Sequence, residues 1–173
     1  ILHNTLLELN IESKILNDRP DKINPSAIGD RDNNIVYINN NFFTRLINII
    51  FINLEKILKT IYLPSPRGTF TLGLFGFDIT KIKEYKDADI IHIHWLSQGF
   101  INLKSLSKIN KPVVWTMRDM WAFTGGSHYT MEFEKYEKSF LSKIIQNYKK
   151  KSYTKNFHFI AQSDWLRNKA QKS

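Results

Sequence analysis

Short apolar runs alternate with amphipathic stretches along the whole chain, and that alternation predicts an α/β fold, a parallel sheet with helices on both faces. Residues 88–95 (ADIIHIHW) and 112–116 (PVVWT) are near-continuously apolar, as strands buried inside a parallel sheet are. Residues 42–63 place Phe43, Leu46, Ile47, Ile50, Leu54, Ile57, Leu58 and Ile61 at helical spacing, and Pro64 and Pro66 end the run. A parallel sheet implies right-handed crossovers and a ligand crevice beyond the carboxyl ends of its strands.

The remaining elements follow in order. Residues 1–9 read as the end of a helix, with a turn at Asn10 and a short strand at 13–16. Residues 18–34 hold Asp, Asn, Pro and Gly and form a loop, and 35–38 (IVYI) is a β-branched strand. Residues 70–77 form a loop or short strand, Asp78 starts a turn of helix to Tyr85, and 103–109 is a short helix. Residues 139–153 form a basic helix whose inner face carries Phe140, Ile144, Ile145 and Tyr148. A last strand, 157–161 (FHFIA), leads to Ser163, which caps a helix over DWLRNKAQ. The loops after Trp95, Thr116 and Ala161 therefore line the expected crevice.

The 173 residues suffice for one domain with a real core, and 42% hydrophobic with 24% charged residues is a globular composition. The absence of cysteine excludes a disulfide scaffold, a thiolate zinc site and a cysteine nucleophile. A net charge of +9 favours anionic partners such as phosphates, nucleotide sugars, acidic lipid or nucleic acid, although abundant Lys, Asn and Ile also fit a compositional bias. No apolar run reaches the roughly 20 residues that a membrane-spanning helix needs.

Three groups of residues can carry chemistry. His92 and His94 share one face of a strand, with His94 near its carboxyl end. They suit a metal site, polar contact with sugar or phosphate, or one buried and one rim imidazole. In WTMRDMWAFTGGSHYT (115–130), Arg118 offers a fork for phosphate or carboxylate and Asp119 accepts from sugar hydroxyls. There Trp121 and Phe123 can stack on a sugar ring, Gly125 and Gly126 allow close backbone approach, and the alternative is local pairing and core packing. The third group is the basic helix with Lys143, Lys149, Lys150, Lys151 and Lys155, read as a solvated face or an anionic-membrane contact. The helix at 43–61 is read as core. Glycine-rich dinucleotide and P-loop motifs and a hydrolase nucleophile elbow are all missing.

The order ADIIHIHW, GF, a short helix, KPVVWTMRDMWAFTGGSHYT and IAQSDWL resembles the amino-terminal domain of family 4 glycosyltransferases, especially bacterial enzymes of capsule, exopolysaccharide and colanic-acid type. The resemblance implies one Rossmann-like half of a two-domain GT-B enzyme, here spanning 1–173 and holding the acceptor. A missing carboxy-terminal domain would then bind the nucleotide sugar, and a first strand would precede Ile1. Transfer would retain anomeric configuration without a metal cofactor, onto a glycan or polyprenyl-linked acceptor. The setting would be cytoplasmic, with peripheral contact to an anionic membrane and no nucleic acid. The matching residues are His94, Trp95, Gly99, Arg118, Asp119, Trp121, Gly125, Gly126 and His128. Acceptor contact falls to His94, Asp119 and His128, and a phosphate of donor or carrier to Arg118. The chain departs from the family where Ser127 stands for a usual Cys and Arg118 for a frequent His; with further cysteines also absent, the loop after Ser127 is expected to be short and unbridged. The competing expectations are a basic nucleic-acid-binding module and a metal-dependent hydrolase using His92, His94 and Asp119.

Overall fold

The computed structural model describes residues 2–18, 34–62, 69–96, 98–129, 137–153 and 155–173. The expected loop over 19–33, the breaks at Pro64 and Pro66 and the loop over 130–136 lie outside the described residues. The architecture is α/β, with two parallel sheets flanked by helices, and it is compatible with a Rossmann-like fold. The chain forms two compact units, Ile1–Ile49 and Ile50–Ser173.

In the first unit, α1 (Leu2–Glu8) ends at Asn10, whose φ of 57° is the left-handed turn that commonly closes a helix. The strands β1 (Ile15–Asn17) and β2 (Ile35–Tyr37) pair in parallel, with Ile15 opposite Ile35. The buried Asn39 amide donates to Asp18, and His3 Nδ1 lies 2.8 Å from Ser13 Oγ. The helix α2 (Phe42–Tyr62) begins in this unit and continues into the second.

The second unit is built on β3 (Ile91–Ile93), β4 (Val113–Met117) and β5 (Phe157–Ala161), all parallel with β4 in the centre. Between them run α3 (Lys83–Asp87), α4 (Leu103–Leu106) and α5 (Phe140–Ser152), and α6 (Asp164–Gln171) follows. Asn102, Ser139 and Ser163 cap α4, α5 and α6 by accepting from the N–H of Ser105, Ser142 and Leu166. Leu103, Leu106, Val113, Trp115, Ile145 and Leu166 are buried. Each such aliphatic side chain contributes roughly 2 kcal/mol through removal from water.

Three expectations about burial are corrected. Of the expected strand 88–95, only Ile91–Ile93 pairs and only Ile93 is buried; among the described residues β3 pairs with β4 alone. On α5 only Ile145 of the expected inner face is buried, while Phe140, Ile144 and Tyr148 are exposed. The stripe on α2 expected as core faces outward, and its buried positions are Asn48 and Glu55.

Candidate functional site

The site forms where β3 and β4 end and the chain turns into loops. The segment 118–129 leaves β4, makes a 3-10 turn at Trp121–Phe123, and folds back so that Ser127 bridges Phe70 antiparallel. Thr71 N donates to Gly126 O at 2.9 Å and His128 N to Thr69 O at 3.1 Å, which fastens the loop to the segment beginning at Thr69.

Inside it, four residues close a ring of hydrogen bonds. Asp119 Oδ2 lies 2.7 Å from His128 Nδ1, and His128 Nε2 lies 3.0 Å from Thr71 Oγ1. Trp121 Nε1 donates to Thr71 O at 2.6 Å, and Trp121 N donates to Asp119 Oδ1 at 2.9 Å. An ionised carboxylate only accepts, so Nδ1 of His128 carries the proton facing Asp119. In the neutral imidazole, Nε2 accepts the Thr71 hydroxyl proton. The ring fixes both the tautomer and the plane of His128, which stacks against Trp95 with centroids 5.0 Å apart.

A cavity of about 20 Å³ is lined by residues that include His94, Trp95, Arg118, Asp119, Trp121 and His128. That is space for about one water. His128 and Trp121 are buried, whereas His94, Trp95 and Arg118 are exposed at the rim. The sequence-predicted residues thus divide. Asp119, Trp121 and His128 form the inner frame, and His94, Trp95 and Arg118 face outward for a ligand to touch. With both ring nitrogens engaged, His128 is placed to hold its neighbours in position. A larger groove of about 780 Å³ shares Met117 and Ala122 with the cavity and runs past Phe159 and Arg167. The loop after Ala161 lines this groove, and the loops after β3 and β4 line the cavity.

The glycines answer to packing. A Cβ on Gly125 would stand 2.0 Å from Ser142 Oγ, and one on Gly126, where φ is 137°, would meet the Phe70 ring at 2.7 Å. Their bare faces are filled by Ser142 and Phe70. Gly99, with φ of 78°, shapes the turn after β3 beside Gln98 and does not line the cavity.

The His92 and His94 rings lie tilted against each other with centroids 4.2 Å apart, and His92 Nε2 lies 2.8 Å from Thr116 Oγ1. Shielding from water lowers the pKa of both, and for His94 the charges of His92 and Arg118 add to it. Both imidazoles therefore favour the neutral form. Among the described residues, no group of three His, Cys, Asp or Glu is placed to hold a metal ion.

Four residues that sequence reasoning did not single out for this site complete it. Thr71 closes the ring described above. Glu137 grips the glycine loop by accepting from Gly125 N at 3.0 Å, Ser142 Oγ at 2.7 Å and Gln146 Nε2 at 3.1 Å, and from the Ser127 hydroxyl. Glu55 accepts from Leu72 N and, at 2.9 Å, from Gly73 N. Burial raises its pKa, and the two N–H donors and the charge of Lys149 offset this in part. Lys149, read as part of a solvated basic face, is fully buried and donates to Trp121 O at 2.6 Å and Thr124 O at 3.0 Å. A signal for it existed: Ser142, Ile145, Lys149 and Ser152 follow a 3-4-3 spacing, which is one helical face, and all four are buried.

Compared with known proteins, the chain matches no family model, no curated protein and no solved structure.

Proposed function

We propose that this chain is the acceptor-side half of a glycosyltransferase, which moves a sugar from a nucleotide donor to a glycan or lipid-linked acceptor in bacterial surface-polysaccharide synthesis. The observation that carries the reading is the ring of Asp119, His128, Thr71 and Trp121 standing behind an exposed indole, Trp95, and an exposed guanidinium, Arg118. An indole face at a strand end suits the apolar face of a sugar ring, and a guanidinium suits phosphate. The neutral His94 beside them offers hydroxyl-directed hydrogen bonds without a competing charge. Catalysis in this reading rests on positioning the acceptor hydroxyl and on a second domain that stabilises the leaving diphosphate. No described helix is long and apolar enough to cross a membrane. The enzyme would act in the cytoplasm, and contact with an anionic membrane would be peripheral and electrostatic.

Titrating the 173-residue chain with a neutral hexose oligosaccharide, and separately with UDP-glucose and GDP-mannose, tests this. Oligosaccharide binding that weakens about tenfold in Trp95→Ala, the size of one lost stacking contact, is the expected result. Turnover of either nucleotide sugar by this chain alone would sink the division of labour. A gel shift with RNA or DNA that survives moderate salt, with no sugar binding, would replace the proposal by a basic nucleic-acid-binding module.

A further inference from the structure

The most unusual group in the second unit is the Lys149 ammonium. It is fully buried, yet all its neighbours are accounted for. The 3-10 turn at Trp121–Phe123 aims two carbonyl oxygens, those of Trp121 and Thr124, at α5, where no strand ladder takes them up. An ammonium has three donors, and two of them meet these carbonyls. Its nitrogen also lies 3.6 Å from the centre of the Trp121 ring, a cation–π contact strengthened by exclusion of water. Three carboxylates act on it from three directions: Glu137 ahead of α5, Asp119 in the loop after β4, and Glu55 on α2. Tyr153, just past α5, closes the same turn by donating from its hydroxyl to Ala122 O at 2.5 Å.

We propose that Lys149 is the positioning residue of the candidate site, an internal cation against which the 119–128 loop folds and which holds the Asp119–His128 pair in register. The chain of contacts is short. Lys149 fixes the Trp121 carbonyl and ring, Trp121 fixes Asp119 through its N–H and Thr71 through its indole, and those two hold both nitrogens of His128. The inference deepens the functional reading by naming what holds the inner frame. It rests on that frame being the working part of the site and not on the reaction.

The geometry places an amine where water is excluded, and the cost is visible. Burial pulls the amine from its ordinary value down to about 7, although Glu137, Asp119 and Glu55 each oppose the fall. The loop therefore loses its internal cation as pH rises through neutrality. Arginine at this position would keep its charge at every accessible pH.

Lysine-selective and ring-selective NMR on the 173-residue chain tests the proposal without any sugar or turnover, so its failure would leave the transferase reading untouched. In the unaltered chain, one lysine signal, lost in Lys149→Met, is expected to titrate near pH 7. The Trp121 indole signals are expected to move with that same midpoint. In Lys149→Arg the neutral midpoint disappears from the Trp121 signals. In Lys149→Met the His128 and Trp121 signals are displaced at every pH, while methyl signals of Leu106 and Val113 stay in place. Trp121 signals that ignore the titration of Lys149, or unchanged His128 and Trp121 signals in Lys149→Met, would overturn the proposal. If Lys149→Met does not fold, the wild-type titration and Lys149→Arg decide alone.

Discussion

Helices α2 and α5 are both amphipathic by sequence, and each turns inward a face that its apolar residues do not mark. On α2, Phe43, Ile57 and Ile61 are 74%, 56% and 65% exposed while Asn48 and Glu55 are buried. On α5, Phe140 is 80% exposed while Lys149 is fully buried. The common cause lies in the loops the helices serve. Segments 70–77 and 119–128 carry backbone N–H and C=O groups that no ladder of strands uses, and buried groups of that kind must find partners. Glu55 supplies an acceptor to the first and Lys149 supplies donors to the second. The difference between the helices is completeness. Lys149 has two carbonyls, a ring face and opposing carboxylates, whereas Glu55 leaves Oε2 buried without a hydrogen-bond partner among the described residues.

The sharpest way to break the comparison is to remove the charge that is fully partnered. Lys149→Met keeps much of the volume but removes the donor to the Trp121 and Thr124 carbonyls and leaves Asp119, Glu137 and Glu55 without their common cation. A loss of about 3 kcal/mol in urea unfolding is expected, as for other broken buried charge contacts. A loss below about 0.5 kcal/mol would mean that the carbonyls find water and that the lysine is dispensable to the fold. Glu55→Ala comes next, at about 2 kcal/mol, because one oxygen serves the N–H groups of both Leu72 and Gly73. Glu55→Gln keeps an acceptor and is expected to recover most of that loss; no recovery would show that the charge, and not the hydrogen bond, matters.

The two buried charges also differ in the sign of their pH dependence. Between about 7 and the ordinary lysine value of 10.5, unfolded Lys149 binds a proton that the folded chain has released. Stability contributed by this group therefore rises with pH across that window. Glu55 runs the other way. Its raised pKa means that the folded chain binds the extra proton above the ordinary 4.5, so its contribution falls as pH climbs through the raised value. Subtracting the Lys149→Met stability profile from wild type is expected to leave a positive slope above pH 7. A flat difference would show that the amine keeps its proton throughout.

How far the sequence reached can be argued from particular residues. Strand β5 was placed at both ends because FHFIA is bounded by turn-forming residues, and the caps at Ser139 and Ser163 follow from chemistry local to the chain. Asp119, Trp121 and His128 were legible as one group of ligand-contact candidates because they sit within ten residues on a single loop, but their hydrogen bonding to one another was not. Thr71, Glu55 and Lys149 were not, since they reach the frame from segments far away in sequence. Periodicity tells which residues share a helical face, but not whether that face meets apolar side chains or unpaired backbone. That is why a lysine in a basic helix and an apolar stripe on α2 were each assigned to the wrong side.

The smallest effect expected belongs to that stripe. Ile50, Ile57 and Ile61 are 48%, 56% and 65% exposed, so each has already forgone much of the benefit of burial. Replacing all three with serine removes β-branched residues from a helix, where they are mediocre formers, and introduces residues that are no better. The helix-propensity change is near zero, and surface changes of this kind alter stability by about 0.5 kcal/mol or less each. The triple variant is therefore expected to unfold within about 1.5 kcal/mol of wild type and to become more soluble, because an exposed apolar stripe promotes self-association. A loss several times larger would show that the stripe is covered in solution and that α2, unlike α5, takes its stability from the face where its large apolar side chains lie.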